Sequence, residues 1–291
     1  MNLANSWKDY KILDMSGGMK LESWNGIILS RPDPQIIWDE KTNPKLWNKA
    51  NAVYHRSKTG GGYWKYKNNI SDRWTVSYKD LTFNIKLMGF KHTGLFPEQA
   101  ANWDFAIEKI KKANRPIKVL NLFAYTGGAT MACSYAGATE VVHVDAAKGM
   151  VEWAKENMKL SKLENNKIRF IVDDCIKFVE REIRRGNKYD VIIMDPPSYG
   201  RGPNGEKWKF EENIYNLINL CIKVLSDKPL FFLINSYTTG ISSSVLENIL
   251  KLKLVPLYPA GIVDSGEIGL PITKNNMVLP CGIYGRWQCN D

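Results

Sequence analysis

From residue 117 onward, apolar runs alternate with amphipathic segments, and this alternation constrains the fold more than any other feature of the chain. "IKVLNLF", "EVVHVD", "IRFIV", "YDVIIMD" and "PLFFLIN" read as strands. "GATMACSYAG", "KGMVEWAKENMKL", "CIKFVEREIRR", "ENIYNLINLCIKVL" and "SSVLENILK" read as the helices between and after them. Each strand is followed by a helix, so the chain crosses over before the next strand. Right-handed crossovers then give an α/β, doubly wound and mostly parallel sheet with helices on both faces. "VPLYPAGIVD" and "MVLPCGIYGRW" have no helix between them and are expected to close the sheet as an antiparallel hairpin, seven strands in all. Ligands of such sheets bind beyond the carboxyl ends of the strands, so the residues at those ends are the candidates for function.

Up to about residue 90 the pattern differs. Short alternating segments such as "YKILDM", "AVYHR", "YWKY", "WTVSY" and "LTFNIKLM" are separated by Gly, Pro, Asn and Asp, which predicts a small β-rich region. "PEQAANWDFAIEKIKKA" (97–113) is expected to be a linking helix, with Pro97 near its start and Trp103, Ile107 and Ile110 at helical spacing. The expected division is therefore residues 1–90 and 91–291.

Charge follows the same division. Residues 1–115 hold 19 Lys/Arg against 11 Asp/Glu, and the remainder 21 against 19, so the excess of +10 is mostly N-terminal. Within residues 41–74 eight basic residues and one acid are interleaved with Trp47, Tyr54, Tyr63, Trp64, Tyr66 and Trp74. Cations bind phosphates and aromatic faces stack on unpaired bases, so this composition suits single-stranded or looped nucleic acid. A small sheet with core aromatics and a solvated basic face is the alternative.

Other classes are disfavoured. No run of eighteen or more apolar residues suggests a membrane span, and "MNLANSWKDYKILDMSG" lacks the order of a signal peptide, so a cytoplasmic location is expected. The five cysteines form no C-x-x-C pair and the three histidines have no metal-ligand spacing, so neither disulfides nor a metal site is expected.

Three strand ends carry chemistry. "VLNLFAYTGGAT" places Gly127 and Gly128 in a tight turn before a helix, where a ligand could approach the backbone; it is not the G-x-G-x-x-G of nicotinamide sites. "VVHVD" ends in Asp145, able to accept both hydroxyls of a ribose or to cap the following helix. "IVDDC" offers Asp174 for an adenine amino group and backbone near Cys175 for a ring nitrogen, with capping again the alternative. Together they describe an adenosine-shaped cleft. At the fourth strand end, "IIMDPPSYGRG" follows an aspartate with two prolines.

These motifs, in this order, resemble those of class I S-adenosylmethionine-dependent methyltransferases over roughly residues 85–290, a Rossmann-like fold. "TGLFPEQAANW" is similar to the G-x-F-x-D-Q-R segment of bacterial 23S ribosomal RNA methyltransferases that modify cytosine C5 or guanine N7, with Ala100 in place of the arginine. The resemblance implies a cofactor, S-adenosylmethionine, held by Phe96, Gln99, Phe123, Tyr125, Thr126, Gly127, Asp145, Asp174, Cys175 and Asp195. It implies that Asp195, Pro196, Pro197, Ser198 and Tyr199 face the methyl acceptor, that S-adenosylhomocysteine is the product, and that ribosomal RNA is the partner.

Cytosine C5 methylation requires a cysteine thiolate to add to the ring. Relatives of that type carry the cysteine after the fifth strand, in a Thr-Cys-Ser context. Here the corresponding "FFLINSYTTG" contains Asn235, Ser236 and Tyr237 and no cysteine, so a nitrogen acceptor is expected. An Asp-Pro-Pro turn suits an exocyclic amine, because carboxylate and carbonyl accept its hydrogens and the prolines stiffen the acceptors. Guanine N7 stays open as well, since Ser198 separates the turn from Tyr199. Arg201, Lys207, Trp208 and Lys209 follow on what reads as a flexible loop, suited to a phosphate and a stacked base or simply to a mobile surface.

Overall fold

The computed structural model describes residues 1–57, 61–202, 205–272 and 276–289. Contacts divide the chain into two compact units: Asn2–Ala101 with Ile268–Cys281, and Met1 with Asn102–Glu267 and Gly282–Asp291.

The N-terminal unit is β-rich. β1 (Asn2–Leu3) pairs in parallel with Ile268 and Gly269. β2 (Tyr10–Ser16), β3 (Met19–Trp24) and β4 (Ile27–Pro32) form an antiparallel meander. After the single-turn helix α1 (Pro44–Trp47), β5 (Ala52–Arg56) joins β4 in parallel and β6 (Gly62–Tyr66) pairs antiparallel with β5. β7 (Trp74–Tyr78) and β8 (Leu81–Ile85) form a separate hairpin. The expectation of a small β-rich region holds, and β3 and β4 add to the segments read as strands. Their signal was Asn25-Gly26, both with positive φ (50° and 87°), as a two-residue hairpin turn requires. The interior is built on Ile12, Leu21, Trp24, Leu29 and Phe83, all fully buried, and on a buried Glu22–Arg31 ion pair to which Tyr10 donates its hydroxyl.

The second unit contains the alternating sequence. α2 (Ala100–Lys112), counted with this unit from Asn102, leads to β9 (Lys118–Leu122), α3 (Gly128–Tyr135), β10 (Glu140–Asp145), α4 (Lys148–Leu160), β11 (Ile168–Val172), α5 (Cys175–Arg184) and β12 (Val191–Met194). The short β13 (Tyr199–Arg201) and β14 (Lys207–Lys209), then α6 (Phe210–Ile222), β15 (Phe231–Ser236), α7 (Ser243–Leu254), β16 (Ile262–Pro271, counted here to Glu267) and β17 (Val278–Gln288, counted here from Gly282) complete it. The strand order is β16-β17-β15-β12-β9-β10-β11; neighbours among β9 to β12 and β15 run parallel, and β17 is antiparallel to β15. The order reverses at β9, which creates a crevice at its carboxyl end.

The central strands β9, β10, β12 and β15 are buried on both faces, which is why they read as continuous apolar runs, while the edge strand β11 is partly exposed. Leu120, Leu122, Val142, Val144, Ile192, Met194, Phe232 and Ile234 share one cluster with Phe178, Leu217 and Leu250 of α5, α6 and α7. Each fully buried side chain of this kind contributes roughly 1.5–3 kcal/mol. The residues in between face the opposite side.

Three expectations shift. The division falls between Ala101 and Asn102, beyond the composition change at residue 90, because residues 91–97 bond back into the N-terminal unit. Arg31 donates to the carbonyl of Lys91, Trp7 to that of Pro97, and the Lys86 N–H to that of Thr93. The linking helix opens as a 3-10 turn over Pro97–Gln99 and becomes α-helical at Ala100. "VPLYPAG" is a turn after α7, and its strand starts only at Ile262, because Pro256 and Pro259 offer no N–H to a ladder. Among the described residues, no helix is long and apolar enough to cross a membrane.

Candidate active site

The turn after β9 is the most constrained backbone in its unit. Phe123 and Tyr125 have φ of 52° and 50°, and Gly127 has 87°. Non-glycine residues held in the left-handed region cost of order 1–3 kcal/mol each, and persist only where their surroundings enforce them. The enforcing bonds come from neighbouring strand ends. The Ala124 N–H donates to the Val144 carbonyl (3.0 Å), and the Tyr125 N–H to Asp145 Oδ2 (2.8 Å). Phe123 N–H donates to the Cys175 sulfur (3.4 Å). Thr126 is buried, and its carbonyl accepts from Asn157 of α4 (2.8 Å).

The glycines at this turn also serve packing. A Cβ on Gly128 would lie 2.4 Å from the Trp103 ring, and one on Gly127 would lie 3.1 Å from Ala154 and from Met131. They let α3 start directly against α2 and α4.

Asp145 accepts from Tyr125 with one oxygen and from the Ala147 N–H with the other (2.9 Å). Burial pushes its carboxyl above the ordinary range, against the pull of those two N–H groups. Each carboxylate oxygen has a second lone pair, so two further hydroxyl groups can be accepted side by side. Asp174 is the N-cap of α5, with Oδ1 accepting from the Lys177 N–H (3.0 Å). Capping uses one oxygen and leaves the other for a donor. Cys175 is buried at the first position of α5, where helix N–H groups have no partner within the helix.

At the end of β12 the Asp195 N–H reaches the Leu122 carbonyl (3.4 Å), so the Asp-Pro-Pro turn starts beside the β9 turn. Two braces hold it. Trp208 donates its indole N–H to the Pro197 carbonyl (2.7 Å) and packs on Phe123, with centroids 4.8 Å apart. Thr238, two residues beyond β15, donates its hydroxyl to Ser198 Oγ (3.0 Å), and the Ser198 carbonyl accepts from the Phe210 N–H. Tyr199 is 53% exposed. The stretch read as a flexible loop is, in its described part, the β13–β14 hairpin. Trp208 is buried within it and braces the turn instead of offering a face to a base; an alternating "KWK" with its aromatic turned inward was the available signal.

Twelve predicted residues thus sit at four adjacent strand ends and are joined by the bonds above: Phe123, Tyr125, Thr126, Gly127, Asp145, Asp174, Cys175 and Asp195–Tyr199. Phe96 and Gln99 belong to the other unit, where the Gln99 N–H donates to the Phe96 carbonyl (3.1 Å) and Phe96 packs on His92. Sequence reasoning missed His143. It is fully buried in β10, its Nδ1 lies 2.9 Å from the Thr130 hydroxyl, and Thr130 also accepts from Asn121 (2.9 Å). Burial pushes its pKa down to about 3, so a neutral imidazole underlies the β9 turn.

A reversed parallel sheet whose strand-end acids and left-handed turn suit an adenosine defines a nucleotide-cofactor-binding class. Comparison makes it particular: the chain belongs to the S-adenosylmethionine-dependent methyltransferase family, whose sequence model matches residues 49–224. S-adenosylmethionine is therefore its cofactor. The crystal structure of the SAM-dependent methyltransferase from Agrobacterium tumefaciens is 34% identical, with a TM-score of 0.92 over 99% of this chain and 93% of that one. Ribosomal RNA large subunit methyltransferase K/L of Shewanella frigidimarina is 33% identical over 145 residues, half of this chain and 20% of that protein. The protein of the same name from Colwellia psychrerythraea is 28% identical over 216 residues, 74% of this chain and 29% of that one. The chain thus spans under a third of these relatives' length.

Proposed function

We propose that this methyltransferase modifies a nitrogen of an RNA base, on ribosomal RNA and in the cytoplasm. The observation that carries the reading is the braced Asp195–Tyr199 turn beside the β9 turn, with no thiolate at the neighbouring β15 end. Asn235 there accepts from Asn102 (3.0 Å), and Ser236 Oγ accepts from the Thr238 N–H (3.1 Å). Cys133 and Cys221 are buried, and burial pushes the Cys133 thiol up to about 12 and Cys221 higher. Cys175 is likewise raised by burial, and Cys289 follows β17, its N–H bonded to the Leu230 carbonyl just before β15 begins, at the end opposite the turn. Ring addition by a thiolate has no support in this unit. The names of the Shewanella and Colwellia relatives support ribosomal RNA as the substrate class.

Asp145 fits the ribose hydroxyls, Asp174 and the Cys175 N–H fit the adenine edge, and Phe123–Gly127 fit the cofactor's remaining backbone contacts. When bound, S-adenosylmethionine supplies an activated methyl group and leaves as S-adenosylhomocysteine. The chain's own work is alignment: rigid placement of a nucleophile in line is worth several orders of magnitude in rate. Asp195 and the Pro196 carbonyl orient an amine through its hydrogens, the Pro197 carbonyl being taken by Trp208, and the exposed Tyr199 ring offers a stacking face for the base. Incubation with methyl-labelled cofactor and a cell extract, then separated into RNA, protein and small molecules, tests the assignment. Label in the RNA fraction is expected; label confined to protein or small molecules would overturn it.

A further inference from the structure

The N-terminal unit contains a cavity of about 630 Å³ outside the strand-end site, within the size range of small-ligand sites. Its walls include Lys41, Trp47, Asn48, His55, Arg56 and Lys67, with no acid among its described lining residues; the Asp14 carboxylate backs Trp47 and Asp39 lies beside Gly17. Lys41, Arg56 and Lys67 form no ion pair among the described residues, although the chain contains 30 acids. Three cations around one concavity repel one another, and a polyanion relieves that repulsion.

The aromatic wall is preorganised. Asp14, buried in β2, accepts from the Trp47 indole N–H (2.8 Å), the Thr42 hydroxyl (2.8 Å) and the Asn43 N–H (3.1 Å). One carboxylate thereby ties both ends of the 42–47 segment and takes up the polar edge of Trp47, which is half-buried. Lys41 Nζ stands 5.1 Å from the centre of that ring. The cations are spread along the cavity. Arg56 ends β5, while the Lys67 N–H bonds to the Asn51 carbonyl just before β5 begins. At ~3.4 Å per residue the two backbones lie about 17 Å apart, farther than one phosphate can bridge.

We propose that this cavity binds single-stranded RNA, with one base stacked on Trp47 and successive phosphates on Lys41, Arg56 and Lys67. The proposal rests on the RNA reading above and assigns it a second contact site. A helical duplex buries its base faces, whereas an unpaired strand supplies both a free ring and a flexible backbone.

Binding of a labelled oligoribonucleotide to the full chain, measured across a salt series, tests it. Trp47→Ala should weaken binding about 5- to 150-fold, the ratio corresponding to 1–3 kcal/mol of base stacking. The triple change Lys41→Gln, Arg56→Gln, Lys67→Gln should lower the log–log salt slope by about 2, at ~0.7 per phosphate contact. Both variants should keep the wild-type affinity for S-adenosylmethionine, which reports folding independently. If Trp47→Ala fails that control, the triple variant alone decides. Wild-type RNA binding that neither variant alters would overturn the cavity assignment and leave the RNA reading standing. Equal weakening for an acidic polypeptide would overturn the assignment to RNA in particular. A wild-type chain with no salt-dependent RNA affinity would overturn both readings.

Discussion

The strand-end turns and the N-terminal cavity treat polar groups in opposite ways. At the ends of β9, β10 and β12, backbone and side-chain groups are tied to one another: Tyr125 to Asp145, Phe123 to Cys175, Trp208 to Pro197 and Thr238 to Ser198. In the cavity one buried carboxylate, Asp14, fixes one aromatic ring, while Lys41, Arg56 and Lys67 stay unpaired among the described residues. The difference follows from the tasks proposed for them. Methyl transfer tolerates little displacement of the reacting atoms, so the scaffold must remove freedom. Polyanion binding depends on charge and stacking, which are tolerant of position, so the scaffold needs only a concavity and a surplus of cations.

Acid sensitivity tests the tied region with the largest expected effect. His143 is buried and neutral, with a pKa of about 3 in the folded chain against an ordinary 6.5. As pH falls below about 6.5 the unfolded chain takes up a proton that the folded one does not, so stability declines down to about pH 3 and is unaffected above 6.5. This group alone should remove about 1.4 kcal/mol per pH unit in that window. Urea unfolding of wild type and His143→Asn at pH 7 and pH 5 should show a smaller loss in the variant; equal losses would mean that His143 is not the responsible group.

Asp145→Ala comes next. It removes the charge-assisted acceptor for the ribose, and the loss of one such bond, about 1.5–3 kcal/mol, should lower calorimetric affinity for S-adenosylmethionine by at least about 10-fold. Gly128→Ala drives a methyl group into Trp103 and should lower stability by about 1–3 kcal/mol in thermal or urea unfolding. An unchanged midpoint would show that α2 and α3 separate easily, and the contrast in rigidity would weaken. Ser198→Ala is the smallest. Losing the bond from Thr238 should slow methyl transfer by a factor of up to about 10 while cofactor affinity stays constant, which separates bracing of the acceptor turn from cofactor binding.

The sequence makes the sheet legible because its strands are buried on both faces and interrupted by amphipathic helices; β9 to β12 and β15 fall where the apolar runs predict. It also makes the strand-end acids legible, since Asp145, Asp174 and Asp195 close those runs. What it leaves obscure are partners distant in sequence. Nothing near Ser198 announces Thr238, and nothing near Gly128 announces Trp103. Trp208 reads as a base-stacking residue from its basic neighbours, yet its side of the β13–β14 hairpin faces Phe123. His143 is concealed by the same periodicity: "VVHVD" marks a buried strand, and the polar residue on its second face finds its partner, Thr130, on a different element.

The central claim, transfer to a nitrogen of an RNA base without a thiolate, is tested most directly by nucleoside identification. Ribosomal RNA from cells lacking this protein would be incubated with the full chain and methyl-labelled S-adenosylmethionine, digested, and its nucleosides resolved. Label should co-elute with an N-methylated nucleoside; label in 5-methylcytidine would contradict transfer to a nitrogen.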